Sequence, residues 1–395
     1  MLALQRSGAA SLEMFQKQQA IPVTGVLDAL TGTKLKPYLL GYETVTLRPG
    51  DSFWTLAQEY GSTMEAIAVA NPTLNPRNLQ IGTEVTVPLG FPVVPTNIPM
   101  TSKLSRLIVR GLVARYPFLE RKVLTTTAFG RPMEMVRVGT GPRKAIYTAA
   151  HHANEWITAT VLLAFLEDYA KAIAQGQRIG GYDAKELAKT TTLYLVPMVN
   201  PDGVDLVTGA ITPENPQYEY ARRMGAAYPE IPFPSGWKAN LLGVDLNLNY
   251  PALWEEARKI KYAQGYNKPG PRDFVGNAPL NQRETKALWE LTRKLNPELV
   301  LAYHSQGRVI YWKFQDLFVP GAEELGEKFS ARSGYELADT PYNSSFAGYK
   351  DWFIQDFRRP GYTIEVGEGE NPLPLSQFPQ IYTDNLGILT TGLAQ

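Results

Sequence analysis

Two adjacent histidines in the middle of the chain are the first residues that could do chemistry. The chain has only three histidines, and two of them are His151 and His152, with Glu155 three residues after the second. At this spacing His152 and Glu155 can turn an imidazole nitrogen and a carboxylate toward one point. Hydrolytic zinc sites use three such ligands and leave one position open for water. Because the chain has no cysteine, any metal must be held by His, Asp or Glu.

A third ligand is expected at the end of another strand. His304 ends the apolar run "VLAYH" and is followed by Ser305. His-x-x-Glu spacing alone is also typical of a capped helix start, and His304 is what favours a metal site. We therefore predict that His152, Glu155 and His304 bind the metal and that His151 is a supporting residue.

Two acids lie inside apolar runs, where a charge is costly without a partner. Glu365 in "GYTIEVG" is a candidate general base beside a cation, the alternative being a solvent-facing residue of an edge strand. Asp245 in "GVDLNLNY" is a candidate for orienting a ligand histidine through its second ring nitrogen, the alternative being an Asx turn.

These residues need a scaffold that brings distant strand ends together. From about residue 100 onward, buried apolar runs alternate with helical segments; the runs are "RKAIYTAA", "TTLYLVPMV", "ELVLAYHS" and "PGYTIEVG". This alternation predicts an α/β fold, with a mixed, mostly parallel sheet and helices on both faces. Functional side chains in such folds lie just beyond the carboxyl ends of strands.

The first hundred residues are organised differently. Residues 1–41 predict a short helical segment, and residues 42–89 predict a βααβ module in which Asp51 is the N-cap of the first helix. The Pro-rich stretch 90–99 predicts a semi-extended linker. Residues 100–395 form the predicted α/β domain.

Composition excludes two kinds of partner. Lys and Arg number 39 against 38 Asp and Glu, so there is no basic excess for binding nucleic acid or an anionic membrane. No stretch approaches the roughly 20 apolar residues of a membrane span. The N-terminus lacks the apolar core of a secretory signal. We expect a soluble protein with no membrane span and no nucleic-acid partner.

Taken together, the motifs resemble those of the zinc carboxypeptidase (funnelin) family. The matching motifs, in the family's order between about 145 and 367, are "HANEWI" (152–157), "NPDG" (200–203), "GVDLN" (243–247), "HS" (304–305) and "TIE" (363–365). The resemblance implies a zinc carboxypeptidase-like fold and one Zn²⁺ per chain, held by His152, Glu155 and His304. It also implies Glu365 as the general base.

The resemblance assigns further roles. Asp245 corresponds to an acid behind a ligand histidine, and Asn247 to a substrate contact. Lys238 stands where the family has an arginine that polarises the scissile carbonyl. The family's mobile tyrosine falls at Tyr342, with Tyr349 as a competing choice.

Two departures argue against ordinary carboxypeptidase activity. Carboxypeptidases bind the C-terminal carboxylate of their substrate with arginines, and this chain has Asn154 and Leu248 at two of those positions. Neither offers the bidentate fork of a guanidinium. A broad metallocarboxypeptidase is therefore an alternative that needs another anchor, for which Arg283 and Arg308 are candidates.

The front of the chain indicates a cell-wall target. Residues 42–89 resemble a LysM module through "PGD", "WTLA", "NPTL" and "IGTEVTVP", and residues 12–39 resemble part of a helical peptidoglycan-binding module. The LysM resemblance implies binding of N-acetylglucosamine-containing glycan, through loops near 50–54 and 78–81. A linker domain without a ligand is the alternative.

The whole combination resembles one bacterial subgroup, the γ-D-glutamyl-meso-diaminopimelate endopeptidases of type I. This resemblance implies hydrolysis of peptidoglycan stem peptides and a role in wall turnover or in the developing spore. It places Lys350, in "GYKDWF", in the specificity pocket, and we predict that Lys350 pairs with a diaminopimelate carboxylate. A solvated lysine is the alternative.

Two further expectations concern activity and location. A non-catalytic wall-binding protein with a relic domain is an alternative, but the retained metal ligands and Glu365 argue against it. Wall-directed modules without a visible signal peptide indicate the cytoplasm or forespore, or the wall or spore by a non-classical route.

Overall fold

The computed structural model describes residues 1–395. The chain divides into two compact units, the first comprising Met1–Pro95 and Arg106–Glu120 and the second Thr96–Ser105 and Arg121–Gln395. Residues 106–120, expected in the α/β domain, thus group with the first unit.

The first unit contains three short helices followed by a βααβ module. Its elements are α1 (Leu2–Ser7), α2 (Leu12–Gln18), α3 (Ala29–Leu40), β1 (Tyr42–Thr46), α4 (Phe53–Tyr60), α5 (Met64–Ala70) and β2 (Glu84–Pro88). β1 and β2 pair antiparallel around a core that includes Phe53, Ile67 and Val85. The predicted helical segment and βααβ order are therefore confirmed.

The start of α4 differs by one residue from the prediction. Ser52, not Asp51, is the N-cap, and it forms a capping box with Thr55. Asp51 instead accepts a hydrogen bond from the amide of Arg48 at 2.7 Å, which closes the preceding turn.

The remaining helices and strands follow α6 (Ser102–Arg115), which contributes residues to both units. The strands are β3 (Glu120–Thr126), β4 (Pro132–Val138), β5 (Arg143–Ala149), β6 (Arg178–Ile179), β7 (Tyr182–Asp183), β8 (Thr191–Val196), β9 (Leu299–His304), β10 (Val309–Tyr311), β11 (Glu336–Ala338) and β12 (Gly361–Glu365). The helices are α7 (Ile157–Gln175), α8 (Ala184–Thr190), α9 (Pro201–Val207), α10 (Pro216–Gly225), α11 (Trp254–Ala263), α12 (Arg283–Leu295), α13 (Ala322–Ser333), α14 (Tyr349–Phe357) and α15 (Phe378–Leu393). No helix is both long and apolar enough to cross a membrane.

Eight of these strands form one mixed sheet in the order β11-β10-β12-β9-β5-β8-β4-β3. The central strands β12, β9, β5 and β8 are parallel, whereas β10 and β4 run antiparallel to their inner neighbours. This arrangement confirms the predicted mixed, mostly parallel α/β sheet.

Helices cover both faces of the sheet centre. Ile146 packs in a core cluster with Leu288 of α12 and Trp352 of α14. The next residue, Tyr147, points to the other face and donates to the carbonyl of Leu389 in α15 at 2.9 Å. Since successive strand residues alternate between faces, neither face of β5 is open to solvent.

Strand register fixes which residues meet at the carboxyl edge. β5 and β9 pair with Ala149 opposite Tyr303, and β12 and β9 pair with Glu365 opposite His304. The loop after β5, the end of β9 and the end of β12 therefore emerge side by side.

Candidate active site and metal centre

A tight turn at the end of β5 precedes the two adjacent histidines. Ala150 adopts a left-handed backbone conformation, with φ of 50°. Its amide donates to the hydroxyl of Thr158 at 3.0 Å, and that hydroxyl donates to the carbonyl of Glu155 at 2.7 Å. These bonds close the loop that carries His152 and the short 3₁₀ helix Ala153–Glu155.

The structure brings His152, Glu155 and His304 together. Their potential ligand atoms all lie within 4.8 Å of one another. His152 Nδ1 is 2.9 Å from Glu155 Oε1, His304 Nδ1 is 2.9 Å from Glu155 Oε2, and the two Nδ1 atoms are 3.2 Å apart. Glu155 and His304 are buried, so this cluster faces solvent only through His152.

The donor set fits a Zn²⁺ ion. Ligand atoms about 2 Å from a tetrahedral zinc ion lie roughly 3.3 Å apart, close to the observed separation of the two Nδ1 atoms. In neutral imidazoles bearing their proton on Nε2, both Nδ1 atoms are lone-pair acceptors. Two such nitrogens and two carboxylate oxygens converging in a buried space repel one another unless a cation lies between them.

Asp245 holds His152 in the orientation that a ligand needs. Asp245 Oδ1 lies 3.1 Å from His152 Nε2, so the carboxylate accepts the Nε2 proton and leaves Nδ1 free. Burial opposes charge on His152, but Glu155 and Asp245 outweigh burial and raise the pKa of His152 to about 9. Glu155 and Asp245 therefore stabilise positive charge at His152, and a bound cation would supply that charge in place of the proton on Nδ1.

His151 lies behind the cluster and supports it by packing. Its ring stacks between the rings of His304 and Tyr349, at centroid distances of 5.6 and 5.7 Å. His151 Nε2 lies 3.3 Å from the hydroxyl of Tyr250. Complete burial, followed by the nearby His304 and His152, lowers the pKa of His151 well below its usual value, so this ring is neutral.

Beside the cluster is a cleft of about 230 Å³, which His152, Lys238, Asp245, Asn247, Lys350 and Glu365 help to line. Burial, and then the charge of Glu155, raises the pKa of Glu365 to about 8. A bound divalent cation opposes both effects, so it would favour the ionised carboxylate that a base needs. Lys238 Nζ lies 3.2 Å from Glu155 Oε1, between the cluster and the cleft.

Asn247 and Lys350 differ in what they can offer a ligand. Asn247 Oδ1 accepts from the amide of Tyr349 at 3.0 Å, which leaves its NH₂ group as the free donor. Lys350 is almost completely buried, and Nζ donates to the Lys313 carbonyl at 2.6 Å and lies 2.6 Å from Asp351 Oδ1. The ammonium of Lys350 is therefore already paired within the protein.

The two tyrosine candidates are in opposite environments. Tyr342 lies on the 3₁₀ helix Tyr342–Ser344 and is 66% exposed, and its neighbours Pro341 and Ser344 line the cleft. Tyr349 is fully buried, and its hydroxyl lies 2.8 Å from the hydroxyl of Thr292. Only Tyr342 is free to swing toward the cleft.

One arginine lines the cleft, and sequence reasoning missed it. Arg272 lies in the loop after α11, whereas neither Arg283 nor Arg308 lines the cleft. Leu248, at one of the family's arginine positions, does line it. The only sequence signal for Arg272 is its place in the irregular stretch "NKPGPRDF".

Comparison with known proteins agrees with this geometry. The zinc carboxypeptidase family model matches residues 108–387, and the LysM domain model matches residues 45–88. The chain is 40% identical to gamma-D-glutamyl-L-diamino acid endopeptidase 1 of Lysinibacillus sphaericus, over 88% of this chain and 99% of that protein. It is 34% identical to the uncharacterized protein YqgT of Bacillus subtilis, over 72% of this chain and 74% of that protein.

Solved structures show the same fold. Carboxypeptidase A from Helicoverpa armigera superposes with a TM-score of 0.58 at 15% identity, over 96% of this chain and 83% of that one. The family match covers more than half of the chain and the Lysinibacillus relative is matched over nearly its whole length. The chain therefore belongs to the zinc carboxypeptidase family and carries a LysM domain before its peptidase domain.

Proposed function

We propose that this chain is a zinc-dependent endopeptidase of peptidoglycan stem peptides, which hydrolyses the amide between the γ-carboxyl of D-Glu and meso-diaminopimelate. The observation that carries the proposal is the 40% identity to a γ-D-glutamyl-L-diamino acid endopeptidase over almost the whole of that protein. The convergent His152, Glu155 and His304 cluster beside a cleft supports it.

In this proposal His152, Glu155 and His304 hold the metal. A bound Zn²⁺ supplies Lewis acidity, which polarises the scissile carbonyl and makes a water molecule more acidic. Asp245 keeps the imidazole of His152 in its ligating orientation. Of these residues, His152 and Asp245 line the cleft, next to the proposed position of the reacting groups.

Glu365 moves the proton. It accepts a proton from the attacking water as the C–O bond forms at the D-Glu γ-carbonyl carbon, and it delivers that proton to the diaminopimelate nitrogen as the C–N bond breaks. The products are a γ-carboxylate and a free amine. Lys238 donates a hydrogen bond to the carbonyl oxygen as negative charge develops there, with Tyr342 as a second donor and Asn247 as a substrate contact.

The front of the chain supplies the wall contact. We assign residues 1–41 to a partial peptidoglycan-binding-like module, 42–89 to the LysM module, 90–99 to a linker and 100–395 to the catalytic domain. N-acetylglucosamine-containing glycan is the proposed LysM ligand. Trp54 and Ile81 are 60% and 69% exposed in or beside the two loops expected to bind it, and they offer apolar surface to sugar rings.

Mass spectrometry of muropeptides tests the proposal. Zinc-loaded protein is incubated with muropeptides that bear tetrapeptide stems, L-Ala-γ-D-Glu-meso-diaminopimelyl-D-Ala, and metal-free protein is the control. We expect release of the diaminopimelate-containing fragment and a muropeptide that ends at D-Glu. Removal of only the C-terminal residue from tetrapeptide stems would instead favour the broad carboxypeptidase.

A further inference from the structure

We propose that Arg272 is the carboxylate anchor of the cleft and binds a carboxylate of the stem peptide. This inference rests on the proposed function and extends it to substrate recognition. The chain lacks arginine at 154 and 248, where carboxypeptidases hold their substrate, yet every proposed stem-peptide substrate is rich in carboxylates. Arg272 reaches the same cleft from a different loop.

The guanidinium of Arg272 has a free edge. Arg272 lines the cleft and its side chain is 38% exposed. Nε donates to Asp273 Oδ2 at 2.6 Å, while no protein hydrogen bond engages the two terminal amino groups. Two parallel N–H donors on a planar group match the two oxygens of a carboxylate. The side chain is therefore oriented at one edge and available at the other.

The loop that carries Arg272 is fixed to the catalytic segment by main-chain hydrogen bonds. The carbonyl of Pro271 accepts from the amides of Lys238 and Ala239 at 2.7 and 2.9 Å. The amide of Asp273 donates to Asp245 Oδ2 at 3.2 Å, and Asp245 also contacts the ligand His152. Arg272 is thus positioned through residues that touch the metal ligands, and little conformational entropy is lost when it binds.

The local charges leave Arg272 positive toward the cleft. Asp273 pairs with Arg272 through Oδ2 and with the buried Lys261 through Oδ1, at 2.6 Å in each case. Two cations therefore share one carboxylate. A substrate carboxylate would pair with this shared positive charge, and the partial burial of the site would strengthen that pairing relative to water.

The other cations of the cleft are ammonium groups that already have a protein partner. Lys350 is paired with Asp351 and donates to the Lys313 carbonyl. Lys238 is paired with Glu155 beside the metal ligands. Arg272 is the one guanidinium of the cleft, and its two unused terminal amino groups form a planar fork, so it is a better anchor than the predicted Lys350.

Three substrate carboxylates share this chemistry. The γ-linkage leaves the α-carboxylate of D-Glu free, and diaminopimelate carries one carboxylate on its acylated centre and another on its far centre. Each carboxylate can be removed singly. D-isoglutamine in place of D-Glu replaces the α-carboxylate by an amide. A C-terminal amide removes the carboxylate on the acylated centre of diaminopimelate, and lysine in place of diaminopimelate removes the carboxylate on the far centre.

The test compares Arg272→Gln, Arg272→Lys and wild type on the parent tripeptide and on these three analogues. Arg223→Gln, which removes an exposed arginine that pairs with Glu219 on α10, is the control. A charge-assisted hydrogen-bonded pair contributes about 1.5–3 kcal/mol, so kcat/KM of Arg272→Gln on the parent should fall roughly 10- to 150-fold. Arg272→Lys should keep part of the activity, and zinc content should equal that of wild type.

The analogues identify the carboxylate. On the analogue that lacks the bound carboxylate, wild type and Arg272→Gln should have the same kcat/KM, and the penalty should persist on the other two. An equal loss on the parent and all three analogues, or no loss on the parent, would overturn the assignment of Arg272. Failure of wild type to cleave any of the four peptides would instead refute the proposed function, and the inference with it.

Discussion

Replacing Asp245 with asparagine should weaken zinc binding without removing any ligand. Asp245 Oδ1 accepts from His152 Nε2 and from the amide of Asn247, both at 3.1 Å, and Oδ2 accepts from the amide of Asp273 at 3.2 Å. An asparagine side chain can accept at only one of these two ends, because the other end becomes an NH₂ donor.

The magnitude follows from these contacts. If the asparagine oxygen faces His152, a charged acceptor becomes a neutral one and the amide of Asp273 loses its partner. If the side chain flips, the Nε2–H of His152 faces a donor and the ligating tautomer is lost. Either arrangement costs about 1.5–3 kcal/mol, which corresponds to a zinc Kd roughly 10- to 100-fold higher, the range found for residues that orient metal ligands.

Zinc affinity is measured by competition with a chromophoric chelator at constant pH. The matched control is Asp316→Asn, which makes the same change at an exposed position with no ion pair or hydrogen bond. We expect the control to bind zinc like wild type. A zinc Kd for Asp245→Asn within twofold of wild type would show that Asp245 does not orient His152 for zinc binding.

Two further predictions concern carboxylates in other environments. Glu365→Gln should keep full zinc content but lose at least about 100-fold in kcat, because general-base catalysis typically contributes that much. Near-normal turnover by a fully zinc-loaded variant would show that Glu365 is not the base. Glu284 lies at the start of α12, and burial is the main cause that raises its pKa from 4.5 to about 7. The folded state therefore holds this proton more tightly than the unfolded state, and the associated stability is complete below pH 4.5 and lost as pH rises through 7. Urea unfolding at pH 4.5 and pH 8 should show wild type losing about 3 kcal/mol more than Glu284→Gln over this interval, and parallel pH profiles would contradict the buried, protonated Glu284.

The fold was largely predictable because its signals are local. Apolar runs such as "LVLAYH" and the alternation of strands with helices predict the central sheet, and all of β9 is buried as its apolar run predicts. The turn residues of the βααβ module likewise predict its order of elements. Helix starts were less predictable, because Ser52 next to Asp51 is an equally good cap and only the fold selects between them.

The same limit applies to α12. Asn281 and Glu284 have capping-box spacing, but the helix begins at Arg283, and Asn281 instead accepts from the side chains of Asn249 and Gln282. The side chain of Asn281 is thus engaged in hydrogen bonds to other side chains and does not cap the helix, although its spacing from Glu284 would allow it.

The cleft was only partly predictable. His152, Glu155 and His304 could be found because each follows an apolar strand, and strand ends converge. Arg272 lies in an irregular loop with no periodicity, and its position depends on hydrogen bonds to residues some thirty positions earlier. The pairing of Lys350 with Asp351 likewise depends on packing that the motif "GYKDWF" does not specify.

Glu365 lies opposite His304 on adjacent parallel strands, and this pairing limits where residues can be inserted into or deleted from the sequence. A one-residue insertion within β9 or β12 would shift the two side chains by about 3.3 Å and turn one of them to the far side of the sheet. The reacting groups would then be separated even though every amino acid of the centre was still present. Insertions and deletions should therefore be better tolerated in the turns that precede these strands, and a relative with an extra residue inside either strand should have lost hydrolysis.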